Sequence, residues 1–339
     1  MKNLFKIISI VLITTIFSCS KEETAPTPTP EIPKVETVYV GGLIENDNGN
    51  KIPTIWTDGV AQSLSITAGF NGQVNDVFVD GNDVYAVGYE YPNTSITDAR
   101  AILWKNRVRI KLSTIASGAN AIYVSNGIPY IVGIEGNIAT LWHTSTYISL
   151  QISTNGTSAN DIFVKGNDIY IVGTNVQGAT QLKNNGSLTA LSFTPTYLGS
   201  ASSSAFGISI LDNNVYIVGR TLSNVSNTIT AQLWKNNVST QQFADNTQMI
   251  SVFAKGQDVF ATGAMTLSPF KAMLWKNNQP TQLSQNDSFG YSVYATTTNN
   301  YVAGYEKNSN PKACIWKNGE IKILSDNLSV ATSVFVTEK

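Results

Sequence analysis

The chain has 339 residues, of which 13% are charged, and 22 basic residues against 23 acidic ones give a formal net charge of −1. That balance carries no electrostatic footprint for nucleic acid. A hydrophobic content of 42% with 10% aromatics excludes an intrinsically disordered chain and calls for a sizeable core.

In chain order, Lys2 and Lys6 precede an apolar run at 7–17 that is too short to span a bilayer and ends Ile16-Phe17-Ser18-Cys19. Residues 1–18 read as a cleaved export signal and are set apart from the fold. Residues 24–34 are Pro-rich, a semi-rigid spacer of roughly 35 Å at about 3.1 Å per residue.

From Val38 onward one pattern repeats seven times. An aromatic is followed three residues later by Gly: Tyr39/Gly42, Tyr85/Gly88, Tyr130/Gly133, Tyr170/Gly173, Tyr216/Gly219, Phe260/Gly263 and Tyr301/Gly304. Each pair is followed by Trp56, Trp104, Trp142, Leu182, Trp234, Trp275 or Trp316, so all six tryptophans stand in one register. Ala stands three positions before this landmark in every copy but the first, where Pro53 replaces it. A third landmark is a run such as Val77-Phe78-Val79, Ile122-Tyr123-Val124 or Val293-Tyr294-Ala295. Spacing runs from 40 residues (Tyr130 to Tyr170) to 46 (Tyr39 to Tyr85), the range of repeat architectures.

Each unit holds short β-rich runs bounded by Gly, Asn and Asp, without helical periodicity. Four strands per unit, A to D, arranged radially give an all-β fold, a seven-bladed β-propeller over residues 35–339. The repeat begins at strand B (Val38-Tyr39-Val40) and finishes with an extra strand A (Val334-Phe335-Val336), so the last strand is expected to complete the first blade and leave no open edge. A monomeric ring is expected.

The repeat has relatives by resemblance. Gly41-Gly42 with a downstream Trp resembles kelch repeats, in one blade only. Ala313-Cys314-Ile315-Trp316-Lys317-Asn318-Gly319 is similar to the HAF-type repeats of bacterial extracellular proteins, a likeness covering 38–336 that implies a secreted propeller. Residues 16–19 resemble a bacterial lipobox, with Phe17 and Ile16 departing from its usual residues. That implies lipidation of Cys19, a tether over 19–34 and attachment to the membrane through lipid alone. Ser20-Lys21-Glu22-Glu23 looks like the surface-export tag of some Gram-negative lipoproteins, which implies an outer-membrane protein facing outward.

Short turns such as Lys105-Asn106 and Asp80-Gly81-Asn82-Asp83 fall at the C–D and A–B connections. The B–C and D–A connections vary and lie on the opposite face, where function is expected. That face offers Tyr89-Glu90 and Tyr305-Glu306 in repeated Gly-Tyr-Glu tripeptides, with Phe70, Tyr197, Arg220 and Asp287 beside them. Aromatics among carboxylates suit a glycan, a glycoprotein or a partner surface protein.

Asp76 and Asp161 read as lying just before strand A, capping backbone groups at the channel mouth; a cation held there is the alternative. Arg107, Arg109 and Lys111 read as charges guarding the outermost strand of blade 2.

No catalytic set, metal site or cofactor motif is legible. His143, the single histidine, occupies a Lys position on the short-turn face. The leading expectation is a non-enzymatic binding propeller. A glycosidase or lyase using loop carboxylates is the alternative, and a platform subunit of a surface complex is the third.

Overall fold

The computed structural model describes residues 34–143, 148–155, 158–184, 193–197, 203–223 and 228–339. The expected export signal, Cys19 and most of the expected tether lie outside these residues.

Seven four-stranded antiparallel sheets form the ring. Blade 1 combines Ser329–Glu338 (A) with Glu36–Glu45 (B), Lys51–Thr57 (C) and Val60–Ser63 (D). Blades 2 to 7 open with A strands Phe70–Asp80, Ser117–Ser125, Ser158–Lys165, Ser203–Leu211, Thr247–Lys255 and Asp287–Ala295, each followed by its own B, C and D strands. Ring closure is as expected: the C-terminal strand pairs antiparallel with the first, Val334 opposite Val40. The A strands of successive blades touch all the way round and enclose the axis.

The repeated residues explain themselves at the seams. Seven apolar clusters occupy the seven blade interfaces, and each landmark side chain packs on the preceding blade. Trp142 lies on Tyr85, Val87 and Ala101, and Trp316 on Ala272 and Leu274. The repeated Ala therefore makes room for the next blade's indole. Leu182 fills the same place against Ala139. In blades 1 and 2 the indole N–H ties back as well, Trp104 Nε1 donating to Ser65 O at 2.8 Å and Trp56 Nε1 to Leu324 O at 3.1 Å.

The Ala backbone N–H is met from the next blade. Ser117 Oγ accepts from Ala101 at 3.0 Å, Ser288 Oγ from Ala272 at 2.9 Å and Ser329 Oγ from Ala313 at 2.9 Å. Blade 1 has Pro53 here, which carries no N–H. Blade 2 answers with Gly72, where a Cβ would lie 3.2 Å from the proline ring. The loss of the donor is matched by the loss of the acceptor.

The Gly of strand B has one reason in every blade. A Cβ on Gly88 would drive into the carbonyl oxygen of Gln73 on strand A, and Gly304 meets Phe289 O in the same way. The close approach accompanies a β-bulge in strand A of each blade, between Val74 and Asp76 in blade 2.

The Trp-Lys-Asn segments form two-residue hairpins with both central residues at positive φ, such as Asn106 (50°) and Arg107 (68°), the twist that suits tight hairpins. The Asn side chain accepts from the first residues of strand B, Asn106 Oδ1 from Val84 N at 2.9 Å. The preceding Lys sits over the strand-B aromatic, Lys105 Nζ 5.0 Å from the Tyr85 ring centre. His143 replaces that cation by stacking on Tyr130 at 4.4 Å, and burial lowers its pKa. Cys314 is buried beside Trp316, and burial raises its thiol pKa.

Candidate functional site

The bulges set the chemistry of the channel. Each adds one residue to strand A and leaves it unpaired. These residues are Thr332, Asn75, Asn120, Asn160, Phe206, Ile250 and Tyr291, in blades 1 to 7. All seven line one cavity of about 370 Å³ on the axis. They fall in the first half or at the centre of their strands, so the cavity lies toward the face where the D–A and B–C connections emerge.

The ring is lopsided. Blades 1 to 4 supply one Thr and three Asn, and blades 5 to 7 supply Phe206, Ile250 and Tyr291. The polar residues also lace the blades together. Asn75 Nδ2 donates to Ala119 O at 2.8 Å, Asn120 Nδ2 to Ala159 O at 2.8 Å, Asn160 Nδ2 to Ala205 O at 2.7 Å and Thr332 Oγ1 to Val74 O at 2.7 Å. On the apolar side Arg220 stands 5.4 Å from the Phe206 ring, its Nη1 donating to Gln248 Oε1 at 3.0 Å.

Asp76 and Asp161 lie inside strand A, immediately after the bulge, and not before the strand as the sequence implied. The extra residue shifts the alternation there and hides the strand's true start. Their capping role is as expected. Asp76 Oδ2 accepts from Ile122 N of the next blade at 2.9 Å, and Asp161 Oδ2 from Ile208 N at 2.8 Å. Ser251, Ser292 and Ser333 accept the corresponding amides of Val293, Val334 and Val77. Burial pushes Asp76 up to about 6 and Asp161 up to about 8, the latter helped by the charge of Asp76, against the amide hydrogen bonds that favour ionisation. Among the described residues no group of three or more His, Cys, Asp or Glu could hold a metal ion.

Three residues beyond the bulge, an aromatic belt surrounds the axis. Phe253, Tyr294, Phe335, Phe78, Tyr123 and Phe163 follow one another at ring spacings of 4.2, 5.0, 4.8, 5.1 and 4.9 Å. Ser209 stands in the same place in blade 5, its Oγ accepting from Ala254 N at 3.0 Å. This belt is the middle residue of the third sequence landmark.

The residues singled out from sequence fall into distinct places. Glu90 is 2% exposed, and its carboxylate accepts from Arg109 Nε at 2.9 Å, Thr67 N at 3.0 Å and Thr67 Oγ1 at 2.9 Å, with Arg109 Nη2 as a further partner. Burial alone would raise its pKa, but these bonds outweigh it and hold the carboxyl below its ordinary value. Arg109 is thus half of an internal ion pair, a correction to its reading as an edge guard. Glu306 accepts from Ser284 Oγ in the matching connection. The recurrent Glu anchors the D–A segment that leads into its own blade.

Tyr89 lies 5.9 Å from Tyr91 and lines a radial groove of about 380 Å³ between blades 2 and 3, with Ile96, Ala99, Ile134 and Asn137. Asn120 lines both this groove and the axial cavity. Tyr305 joins an aromatic chain on blades 6 and 7, at 6.2 Å from Tyr291, which is 4.6 Å from Phe289. Burial, with the charges of Tyr291 and Asp287, pushes Tyr305 up to about 12. Phe70 and Asp287 begin strands A of blades 2 and 7. Tyr197 is the last residue of strand D of blade 4, opposite Thr180.

The structure therefore sets Arg220 against Phe206 and Tyr305 against Tyr291, each beside a lining residue and outside the lining itself, and leaves Tyr89 at the groove. Asn75, Asn120, Asn160, Phe206, Ile250 and Thr332 were missed from sequence. Their signal is the second residue before the Val-Phe-Val landmark, a position whose chemistry changes from blade to blade.

No family model and no curated sequence matches the chain. Solved structures match its shape. A quinonprotein alcohol dehydrogenase-like protein from Bacteroides thetaiotaomicron has 11% identity over 87% of this chain and 78% of its own, with a TM-score of 0.52. A candidate 6-phosphogluconolactonase from Bacteroides uniformis has 11% identity over 89% of this chain and 99% of its own, with a TM-score of 0.53. Hydrazine synthase of Kuenenia stuttgartiensis has 9% identity over 74% and 77%, with a TM-score of 0.51. At these identities the likeness speaks for the propeller fold alone.

Proposed function

We propose that this propeller is a non-catalytic binding module, held at the cell surface by a lipid on Cys19, and that it takes a glycan in the axial cavity. The lopsided bulge ring carries the reading. An aromatic wall of Phe206 and Tyr291 faces an arc of amide and hydroxyl groups across one cavity. Sugar rings present C–H faces that stack and hydroxyls that bond, and a concave site with few polar groups fixed by the scaffold suits them. The lipobox-like residues 16–19 and the Pro-rich tether supply the address, and the HAF-like repeat is in keeping with it.

The enzymatic alternative also gains a specific basis. Asp76 and Asp161 are two carboxylates lining one cavity, and a pair of carboxylates is what acid–base hydrolysis uses. Each is already tied to backbone amides of two blades, which favours the binding reading.

A glycan array probed with the full chain, followed by mass spectrometry of each hit, tests the proposal. A bound glycan of unchanged mass is the expected result. A cleaved one would move the assignment to hydrolysis at Asp76 and Asp161. An array without hits would overturn the glycan reading.

A further inference from the structure

The radial groove between blades 2 and 3 is lined differently from the cavity it adjoins. Tyr89, Ile96, Ala99 and Ile134 give it apolar walls, and no Lys, Arg, Asp or Glu stands among the described residues that line it. Ser117 lines it too, but its hydroxyl is taken up by the fold, accepting from Ala101 N at 3.0 Å and donating to Ile115 O at 2.9 Å. The remaining polar side chains are Tyr89, Asn120 and Asn137. The axial cavity, by contrast, holds three Asn and two Asp. The two spaces meet at Asn120, which lines both.

Two features of blade 3 keep the groove open. The residue two before the bulge is Val330, Gln73, Ser158, Ser204, Gln248 or Phe289 in the other blades and Gly118 in blade 3. The fold does not ask for this glycine. Its backbone is not left-handed, and a Cβ there would meet no atom within 4 Å. A side chain at 118 would stand in the groove that Gly118 lines. The second feature is the B–C connection of blade 3, a two-residue hairpin of Gly136 and Asn137 at φ 57° and 69°. Across from it blade 2 raises a longer connection over 93–99 with the 3-10 turn Ile96–Asp98, and Ile96 is 60% exposed.

We infer that this groove is the apolar arm of the axial site, and that within the glycan reading, on which this rests, the ligand is a sugar carrying a hydrocarbon substituent. The polar cavity takes the sugar. The groove takes the hydrocarbon, whose apolar surface leaves water against Ile96, Ala99 and Ile134. A second plain sugar unit would instead lose water from hydroxyls that meet those same side chains. A charged extension meets no counter-charge in the lining.

Isothermal titration of the full chain against methyl and hexyl glycosides of glucose, galactose and mannose, with 1-hexanol as control, tests this. Each buried methylene is worth roughly four-fold in affinity, and ordering the chain in an open groove takes part of that back, so the hexyl member of a bound pair should be tighter by about ten-fold or more. Gly118→Gln, which gives blade 3 the side chain that blade 2 has at Gln73, should bring the hexyl affinity down to the methyl one while the melting temperature holds. Should that variant not fold, Ile96→Ser removes exposed apolar surface and should narrow the gap. Equal affinity within every bound pair overturns the inference and leaves the glycan reading standing. A hexyl gain that survives the folded variant puts the chain elsewhere and also overturns it. Hexanol binding as tightly as the hexyl glycosides, with the methyl glycosides silent, overturns the inference and the glycan reading together. Silence from every glycoside overturns the inference, and the glycan array then decides the broader reading.

Discussion

The blade seams and the channel mouth share one seven-fold backbone but differ in how far their side chains are free to vary. At the seams the same chemistry recurs: Gly against a carbonyl, Ala under an indole, a hydroxyl on the Ala amide. At the mouth the same bulge recurs, but its residue is Thr, Asn, Asn, Asn, Phe, Ile and Tyr in turn. Asn and Thr lace neighbouring blades there, yet Phe, Ile and Tyr hold the same bulge, so the ring closes with either chemistry. A position that the fold leaves open and that faces a shared cavity is where selection for a ligand can act.

The contrast can be broken most severely at the closure. Removing residues 329–339 deletes the innermost strand of blade 1 and the bonds Ser329 Oγ to Ala313 N and Ser333 Oγ to Val77 N. Cooperative thermal unfolding should be lost, as calorimetry would read. A sharp transition at the original temperature would show that the ring does not depend on this strand.

Trp104→Ala should cost about 3–5 kcal/mol in urea unfolding, the range for emptying a large buried aromatic site, because Trp104 fills the seam between blades 1 and 2. A cost below about 1 kcal/mol would mean that the seam collapses around the gap and is not the main source of stability.

Glu90→Gln leaves Arg109 without its counter-charge and should cost about 2 kcal/mol, less than a fully buried pair because Arg109 is partly exposed. The sign with pH follows from the lowered carboxyl pKa. The pair's contribution is present above the unfolded value and is lost as pH falls through the folded one. In acid, wild type and Glu90→Gln should therefore converge in stability, and a constant gap would contradict the pairing.

Asp161 has the opposite sign. Its folded pKa of about 8 lies above the unfolded value, so ionisation is disfavoured in the fold. Its stabilising protonated form prevails at low pH, and stability should fall as pH rises from about 4 to 8, by at most ~1.4 kcal/mol per unit. Asp161→Asn should flatten that slope in a pH series of melts. An unchanged slope would assign it to other groups.

Much of this architecture is legible in the residues. Blade number, ring closure, the hairpin turns and the burial of Trp and Cys314 follow from repetition, because each landmark answers a packing demand met seven times. The cavity is less legible. A bulge shifts the period-two alternation by one residue, which displaced Asp76 and Asp161 from the strand they occupy. The Tyr-Glu recurrence drew attention for being unusual, yet Glu90 and Glu306 anchor connecting segments. Arg220 stands out in sequence as a charge near loops. Asn120 and Asn160 look like ordinary turn-type residues until the bulge places them.

The most direct test of the division between scaffold and mouth is the double variant Phe206→Leu, Asn120→Ala, compared with wild type on the same glycan array and by urea unfolding. Loss of every wild-type hit with a stability change within about 2 kcal/mol, the scale of one lost hydrogen bond and one trimmed side chain, is the expected result. Hits retained at full strength by a folded double variant would contradict the assignment of binding to the channel mouth.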